Sequence, residues 1–269
     1  MTDTTAQVSG TGVLPPGLLV EAEAAAIVAH FPALCALQPL RLDAGGLVCA
    51  PRCAPELAAP ALAGCPLPVR ALSEVPGWPA PPAAYIAGWY RRGPEHLPAP
   101  GGVRELVQAP GEGFGPGDHA TTAMCLEAID AAPGGPALDA GCGSGLLAQA
   151  WVALGRGDVL ACDLDARALD QARRSLDAAG RAASVELRRA PLGALSSDEI
   201  AGRVVLANVP GPAHRELLAR TVAPPRALVL SGVRAADAPA LAAAWEARGV
   251  KTIRVRHREG FACLQMEGG

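Results

Sequence analysis

The sequence predicts an α/β protein with an open, doubly wound sheet, preceded by a small α+β domain. First, apolar, strand-like runs alternate with helical segments from residue 103 onward, as in sheets covered by helices on both faces. Second, one such run, residues 137–140, enters a glycine-rich turn at residues 141–145. Third, Asp163 follows the next strand, 22 positions after Gly141. Because an acidic residue at that place suits the two hydroxyls of a ribose, the sequence predicts a nucleoside-cofactor site.

Three glycines shape this turn: Gly141, Gly143 and Gly145. Glycine adopts positive φ without steric cost, so the backbone can approach a ligand closely. The helix start behind the turn offers N–H groups to polar ligand atoms. The spacing is G-x-G-x-G, and Leu146 stands where the nicotinamide fingerprint G-x-G-x-x-G has its last glycine. The alternative is an ordinary strand–helix turn, which the presence of Asp163 disfavours.

Length and composition narrow the class of protein. The 269 residues leave room for one large or two small domains. Half of the residues are hydrophobic, but many are alanine, and no uninterrupted apolar run reaches the ~18 residues of a membrane span. The N-terminus lacks the basic region of a signal peptide. A net charge of −3 gives no reason to expect direct nucleic-acid binding. We therefore expect a cytoplasmic protein that contacts neither membrane nor nucleic acid.

The cysteines favour reduced thiols over a disulfide framework, because the chain has eight of them and no predicted secretion signal. Cys49 and Cys53 have C-x-x-x-C spacing and Cys65 follows, but no second pair completes a zinc motif. The sequence therefore predicts no metal site.

The region before the sheet divides into two parts. For residues 1–78 the sequence predicts the small α+β domain, and the hypothesis is that this domain recognises the substrate. Residues 79–102 are rich in proline and predict a linker, and the sheet domain follows at residues 103–269. Elements predicted in the first two parts are a helix over 17–29, a hairpin whose strands flank 43–46, a helix over 56–63, a strand over 69–72 and a helix over 83–92.

Within the sheet domain, each element has a pattern of its own. Helices are predicted at 146–154, 166–179 and 235–248, and Gly180 and Gly249 end the last two. A further helix at 123–129 follows a glycine-rich loop, and Asp118 and two threonines are candidates to cap it. Its N-terminus would suit the carboxylate of a cofactor that carries an amino acid. Strands are predicted at 104–108, 137–140, 159–162, 185–189, 204–207 and 227–230, with a terminal hairpin at 252–257 and 261–266.

These motifs resemble those of known methyltransferases. D-A-G-C-G-S-G at residues 139–145 resembles motif I of the class I S-adenosylmethionine (SAM) methyltransferases. F-G-P-G-D-H-A-T-T at 114–122 resembles the F-G-T-G-x-H-x-T-T signature of ribosomal protein L11 methyltransferases, and C-L-E follows at 125–127. The same family's D-I-D, A-N-I-L and L-S-G-I are matched by D-L-D at 163–165, A-N at 207–208 and L-S-G-V at 230–233. The resemblance covers about residues 103–269.

The resemblance implies a Rossmann-like sheet of seven strands and SAM as the cofactor. It also implies a protein substrate of the ribosomal protein L11 type, methylated on lysine or N-terminal amino groups. Carried over to this sequence, it implies that the cofactor is bound by Phe114, Gly115, Thr122, Asp139, Gly141, Gly143, Gly145, Asp163 and Asn208.

Asn208 is the candidate catalytic residue. It ends an apolar strand, and ligands gather at the carboxyl ends of strands in such sheets. It resembles the Asn of N-P-P-Y motifs, whose oxygens accept hydrogen bonds from the amine. The alternative is a turn-forming Asn ahead of Pro210. His119 and His214 are candidates to assist deprotonation, although isolated histidines are more often structural.

The sequence departs from the family pattern in several places. Pro116 replaces a threonine, and Val-Pro-Gly at 209–211 replaces Ile-Leu-Ala. Ala190 and Pro191 follow a strand at which many methyltransferases place an acidic residue for the adenine. Residues 1–100 show no match to the family's substrate-recognition domain. Two other functions therefore stay open: a SAM-binding module without turnover, and a small-molecule methyltransferase of the same fold.

Overall fold

The structure, a computed structural model, describes residues 17–20, 37–43, 46–51, 69–72, 84–94, 103–111 and 119–268. The chain divides into two units between Glu105 and Leu106. Within the described ranges, each helix is too short or too polar to cross a bilayer.

The first unit contains four antiparallel strands: β1 (Gly17–Val20), β2 (Leu37–Asp43), β3 (Gly46–Pro51) and β4 (Val69–Leu72). Their order in the sheet is β2-β3-β1-β4. The predicted hairpin is confirmed, since Leu42 pairs with Leu47 and Asp43 with Gly46. The predicted strand at 69–72 is confirmed as β4.

The predicted helix over 17–29 is wrong where it begins. Residues 17–20 form β1, which pairs with β3 on one side and β4 on the other. Pairing on both edges satisfies the backbone of Leu18 and Leu19, and such tertiary pairing overrides a weak helical preference. The rest of that predicted helix, and the one over 56–63, lie outside the described residues.

A second sheet contains β5 (Ala84–Ile86), β6 (Trp89–Arg92) and β7 (Arg104–Val107), in that order. The predicted helix over 83–92 is therefore wrong. Ala87 and Gly88 both have positive φ, 49° and 81°, and form a two-residue turn between the antiparallel β5 and β6. Turns of this kind match the twist of a hairpin, and aromatic residues favour strands. The predicted linker thus contains a hairpin.

The second unit contains the predicted sheet of seven strands. In chain order these are β8 (Ala137–Ala140), β9 (Val159–Asp163), β10 (Val185–Arg189), β11 (Val204–Asn208), β12 (Ala227–Arg234), β13 (Val250–Arg258) and β14 (Phe261–Gly268). Their order in the sheet is β10-β9-β8-β11-β12-β14-β13. β8 to β12 are parallel to their neighbours among these five, whereas β14 is antiparallel to both β12 and β13.

The helices of this unit are α1 (Ala120–Ile129), α2 (Leu146–Ala153), α3 (Ala166–Ala178), α4 (Ser197–Ile200), α5 (Gly211–Arg220) and α6 (Ala238–Glu246). The predictions did not include α4 and α5. The cap of α1 also differs from the prediction, because His119 is its N-cap residue and accepts a hydrogen bond from Thr121 N. Asp118, the predicted cap, lies outside the described residues.

The core of this unit lies on both faces of the sheet. All four residues of β8 are buried, and Leu228, Val229 and Leu230 of β12 are fully buried. Strands covered on both faces have such continuous apolar runs. The strand order reverses between β8 and β11, which places the carboxyl ends of these two strands side by side. A crevice at such a reversal is where ligands bind in open α/β sheets.

Candidate active site

A cavity of about 440 Å³ opens at this reversal point. Its wall contains six of the residues that the sequence predicts for the site: Thr122, Asp139, Gly141, Gly143, Asp163 and Asn208. Gly145 stands behind the turn, where a Cβ would lie 3.1 Å from Ala172 Cβ. Phe114 and Gly115 lie outside the described residues.

The backbone of the glycine turn has a conformation that only glycine adopts easily. Gly141, Gly143 and Gly145 have φ of 77°, 53° and 82°. A Cβ on Gly141 would overlap Val209 Cγ1, so the residue after Asn208 packs directly on the turn. α2 begins immediately behind, and its first N–H groups have no partner within the helix. Gly141 and Gly143 therefore leave the backbone of the turn open to the cavity, whose wall also includes Cys142 and Ser144.

Asp163 is fixed at the end of β9 by two backbone hydrogen bonds. Its Oδ2 accepts from Gly143 N at 2.9 Å, and its Oδ1 accepts from Asp165 N at 2.9 Å. Each carboxylate oxygen accepts more than one hydrogen bond. Asp163 therefore orients the glycine turn and retains acceptor capacity for hydroxyl groups in the cavity.

Asp139 is a buried carboxylate behind the turn. Its Oδ2 accepts a hydrogen bond from Ala148 N at 2.9 Å. Burial raises the pKa of Asp139 from 3.8 to about 7, the hydrogen bond from Ala148 lowers it, and the charge of Asp163 raises it. A cation that enters the cavity would favour the charged form of Asp139.

Asn208 lines the cavity and carries an acceptor without a partner in the described part of the chain. Its Nδ2 donates to Thr122 Oγ1 at 3.3 Å, which joins the end of β11 to the first turn of α1. Its Oδ1 is buried and has no hydrogen-bond partner among the described residues. The backbone around it is held by β12, because Val209 N donates to Ser231 O at 3.1 Å. An oxygen kept in this state is suited to a donor group on a ligand.

The two histidines have structural positions. His214 is fully buried, its Nε2 donates to Ser231 O at 2.8 Å, and burial lowers its pKa. His119 caps α1 and lies edge-on to the ring of Phe261, with ring centroids 4.8 Å apart. Neither histidine belongs to the cavity wall. The geometry therefore gives neither a part in deprotonation.

The predicted site residues make up six of the eighteen described residues of the cavity wall, and the other twelve were not predicted. Leu164 was detectable from the sequence, because it directly follows Asp163. In the structure it is 64% exposed although it is apolar. Pro191 and Leu192 come after β10, at the carboxyl edge where ligands gather. The wall residues that were not predicted include Leu164, Pro191, Leu192, Val209, Ala213 and Glu216.

The strand order, the glycine turn at the reversal point and the acid at the end of the next strand define the class: an α/β protein with the sheet of class I methyltransferases. A crystal structure of a ribosomal protein L11 methylase from Lactobacillus delbrueckii subsp. bulgaricus has the same fold. The TM-score is 0.56 and the identity 19%, over 68% of this chain and 96% of that chain.

The chain belongs to the ribosomal protein L11 methyltransferase (PrmA) family, whose model matches residues 104–268. A ribosomal protein L11 methyltransferase of Syntrophotalea carbinolica is 37% identical over 171 residues, which are 59% of this chain and 53% of that protein. One of Bordetella parapertussis is 36% identical over 192 residues, 66% of this chain and 59% of that protein. The chain thus spans little more than half the length of these curated relatives. The family resemblance seen in the sequence is confirmed, and the cofactor of this family is SAM.

Proposed function

We propose that this protein transfers methyl groups from SAM to amino groups of a protein, and that ribosomal protein L11 is the substrate. The observation that carries the proposal is that Asn208 lines the cavity and that its buried Oδ1 is an acceptor without a partner among the described residues. Family membership and the names of the relatives support the choice of substrate. A ribosomal substrate would be met in the cytoplasm.

The residues of the cavity fit SAM. Asp163 would receive the ribose hydroxyls, since its carboxylate is already oriented by Gly143 N. The glycine turn would lie against the cofactor, because Gly141 and Gly143 belong to the cavity wall and carry no side chain. The buried Asp139 would favour the positively charged end of the amino-acid portion. When bound, SAM supplies a methyl group on a positively charged sulfur.

Asn208 would position the substrate amine. An amide oxygen accepts a hydrogen bond but does not take up a proton, so the amine must arrive neutral. Accepting an N–H of the amine aims the nitrogen lone pair, and the bond from Nδ2 to Thr122 keeps Oδ1 in place. Positioning of this kind contributes much of the rate in a displacement, because the reacting atoms must be ~3–3.5 Å apart and aligned.

The test is methyl transfer from SAM labelled in its methyl group to purified L11, followed by peptide mapping. We expect label on amino groups of L11 and none with the Asn208→Ala protein within the time of one wild-type turnover. A cell extract treated in parallel with the protein and the labelled SAM would show whether other molecules accept the methyl group. Label in a small molecule alone, or binding of S-adenosylhomocysteine without transfer, would overturn the proposal in favour of the other two functions.

A further inference from the structure

One part of the cavity wall is apolar. It contains Leu164, after β9, and Pro191 and Leu192, after β10. In the sheet order these strand ends lie on one side of β8, whereas Asn208 ends β11 on the other side. A flat purine base could pack its faces on such a wall. The side chains of Ala190, Pro191 and Leu192 offer no hydrogen bond to its polar edge.

Glu216 supplies a polar group beside this apolar wall. It lies one helical turn after Ala213 on α5, and both belong to the cavity wall. A Cβ on Gly193 would lie 3.8 Å from Glu216 Oε2, so the carboxylate stands over the residue that follows Leu192.

The three carboxylates of the cavity wall differ in their partners. Asp139 accepts a hydrogen bond from Ala148 N, and Asp163 accepts from two backbone N–H groups. Glu216 has no hydrogen bond or ion pair with any described residue. Of the three, Glu216 is therefore the one whose oxygens are wholly available to a ligand.

We propose that Glu216 recognises the exocyclic amine of the adenine and so makes the site selective for adenine over hypoxanthine. The inference rests on the proposed use of SAM. The amine donates hydrogen bonds, which a carboxylate accepts. In hypoxanthine a carbonyl oxygen replaces the amine, and it would face the negative carboxylate without a proton between them. The Glu216 carboxylate would also take the role of the acidic residue that many methyltransferases place after the strand corresponding to β10, where this chain has Ala190 and Pro191.

The experiment compares S-adenosylhomocysteine with S-inosylhomocysteine, its hypoxanthine analogue, by calorimetry on the full chain. We expect the wild-type protein to favour the adenine compound by tenfold or more. Glu216→Gln should reduce this preference about tenfold, because the glutamine amide can donate to the hypoxanthine oxygen while the charge-assisted bond to the amine is lost. Glu186→Gln, an exposed glutamate in the first half of β10, is the matched control and should keep the wild-type preference.

The outcomes separate this inference from the proposed function. Normal binding of S-adenosylhomocysteine with an unchanged preference in Glu216→Gln would overturn the assignment of Glu216 alone. A reduced preference in a protein that transfers no methyl group would support Glu216 and count against the proposed function. Failure of the wild-type protein to bind S-adenosylhomocysteine would overturn both.

Discussion

The amide of Asn208 has its two polar atoms in different surroundings: Nδ2 is bonded to Thr122, and the buried Oδ1 has no partner among the described residues. We expect Asn208→Ala to lower kcat on the order of 10²-fold, because the amine loses its orienting acceptor. The affinity for S-adenosylhomocysteine should stay nearly unchanged, the pattern of an interaction made mainly in the transition state. Single-turnover kinetics and calorimetry measure the two effects separately.

Thr122 provides a second test of this prediction. Thr122→Val keeps the shape but removes the oxygen that holds Asn208 Nδ2, so kcat should fall because Oδ1 is no longer held in place. The family resemblance also implies a hydrogen bond from the Thr122 hydroxyl to the cofactor, and losing that bond should weaken cofactor binding by ~0.5–1.5 kcal/mol. Thr122→Ser keeps the hydroxyl and should restore both kcat and the affinity for the cofactor. Loss of cofactor binding with normal kcat in Asn208→Ala would make Asn208 a cofactor ligand instead. If neither quantity changed, Asn208 would be a turn residue.

Asp139 should make the stability of the fold depend on pH. Its pKa is about 7 in the folded chain against an ordinary 3.8, so between these values the folded state binds more protons than the unfolded state. The free energy of unfolding should therefore fall as pH rises from about 4 to 7, by about 1.4 kcal/mol per pH unit at most, and level off above.

Asp139→Asn tests this dependence, because asparagine keeps an acceptor for Ala148 N and does not titrate. Urea unfolding at pH 5 and pH 8 should show a smaller difference for Asp139→Asn than for the wild type. Asp158→Asn, at an exposed carboxylate, should leave the difference as it is. An equal difference in all three proteins would show that Asp139 does not titrate in this range.

At the scale of elements, Val209 is enclosed between two glycines. Gly141 lies on one side of it, and on the other a Cβ on Gly232 of β12 would stand 2.5 Å from Val209 O. Gly232 also has a φ of 81°, next to an irregularity in the pairing of β12 with β14. Because Val209 follows Asn208, this packing sets the position of the amide.

Gly232→Ala should therefore destabilise the protein and reduce its activity. The positive φ costs ~1–2 kcal/mol, and the displacement of Val209 adds ~1–3 kcal/mol. Gly202→Ala is the matched control: its φ is 69° and its Cβ would meet no atom within 4 Å, so only the first cost applies. Thermal unfolding and kcat measure both effects. Equal losses of stability in the two variants would contradict the enclosure of Val209.

Elements with a strong local pattern could be predicted from the sequence, and those decided by contacts could not. Central strands of the seven-stranded sheet such as β11 are near-continuous apolar runs, so β11 is found at Val204–Asn208 against the predicted 204–207. The hairpin at Ala87–Gly88 was mistaken for a helix because alanine favours helices and the partner strand β7 comes later in the chain. α5 was missed because the prolines at 210 and 212 indicate a turn, although proline is also common at helix starts.

The same distinction applies to the site. The glycine turn and Asp163 follow from spacing along the chain, and the structure places both in one cavity. Glu216 reaches that cavity only through α5, so no local pattern indicates it. The bond between Asn208 and Thr122 depends on the packing of α1 beside β11 and likewise has no sequence signal.

At the scale of the whole molecule, the described cavity residues all belong to the second unit, which begins at Leu106. The boundary falls within β7 (Arg104–Val107), whose neighbour in the sheet is β6. Within the second unit, Val107 O accepts a hydrogen bond from Gln149 Nε2 at 2.9 Å. A fragment that begins at Ala84 keeps β5 and β6 beside β7, whereas one that begins at residue 103 leaves β7 with an unpaired edge.

We expect the fragment 84–269 to bind S-adenosylhomocysteine as tightly as the full chain, because it keeps every described residue of the cavity wall. It should methylate L11 far more slowly, if the preceding residues recognise the substrate as the sequence suggests. The fragment 103–269 is the control for the hairpin, and its thermal unfolding should occur at a lower temperature. Calorimetry and label transfer to L11 are measured on all three proteins. Methylation of L11 at the full rate by the fragment 84–269 would show that substrate recognition lies in the methyltransferase unit itself.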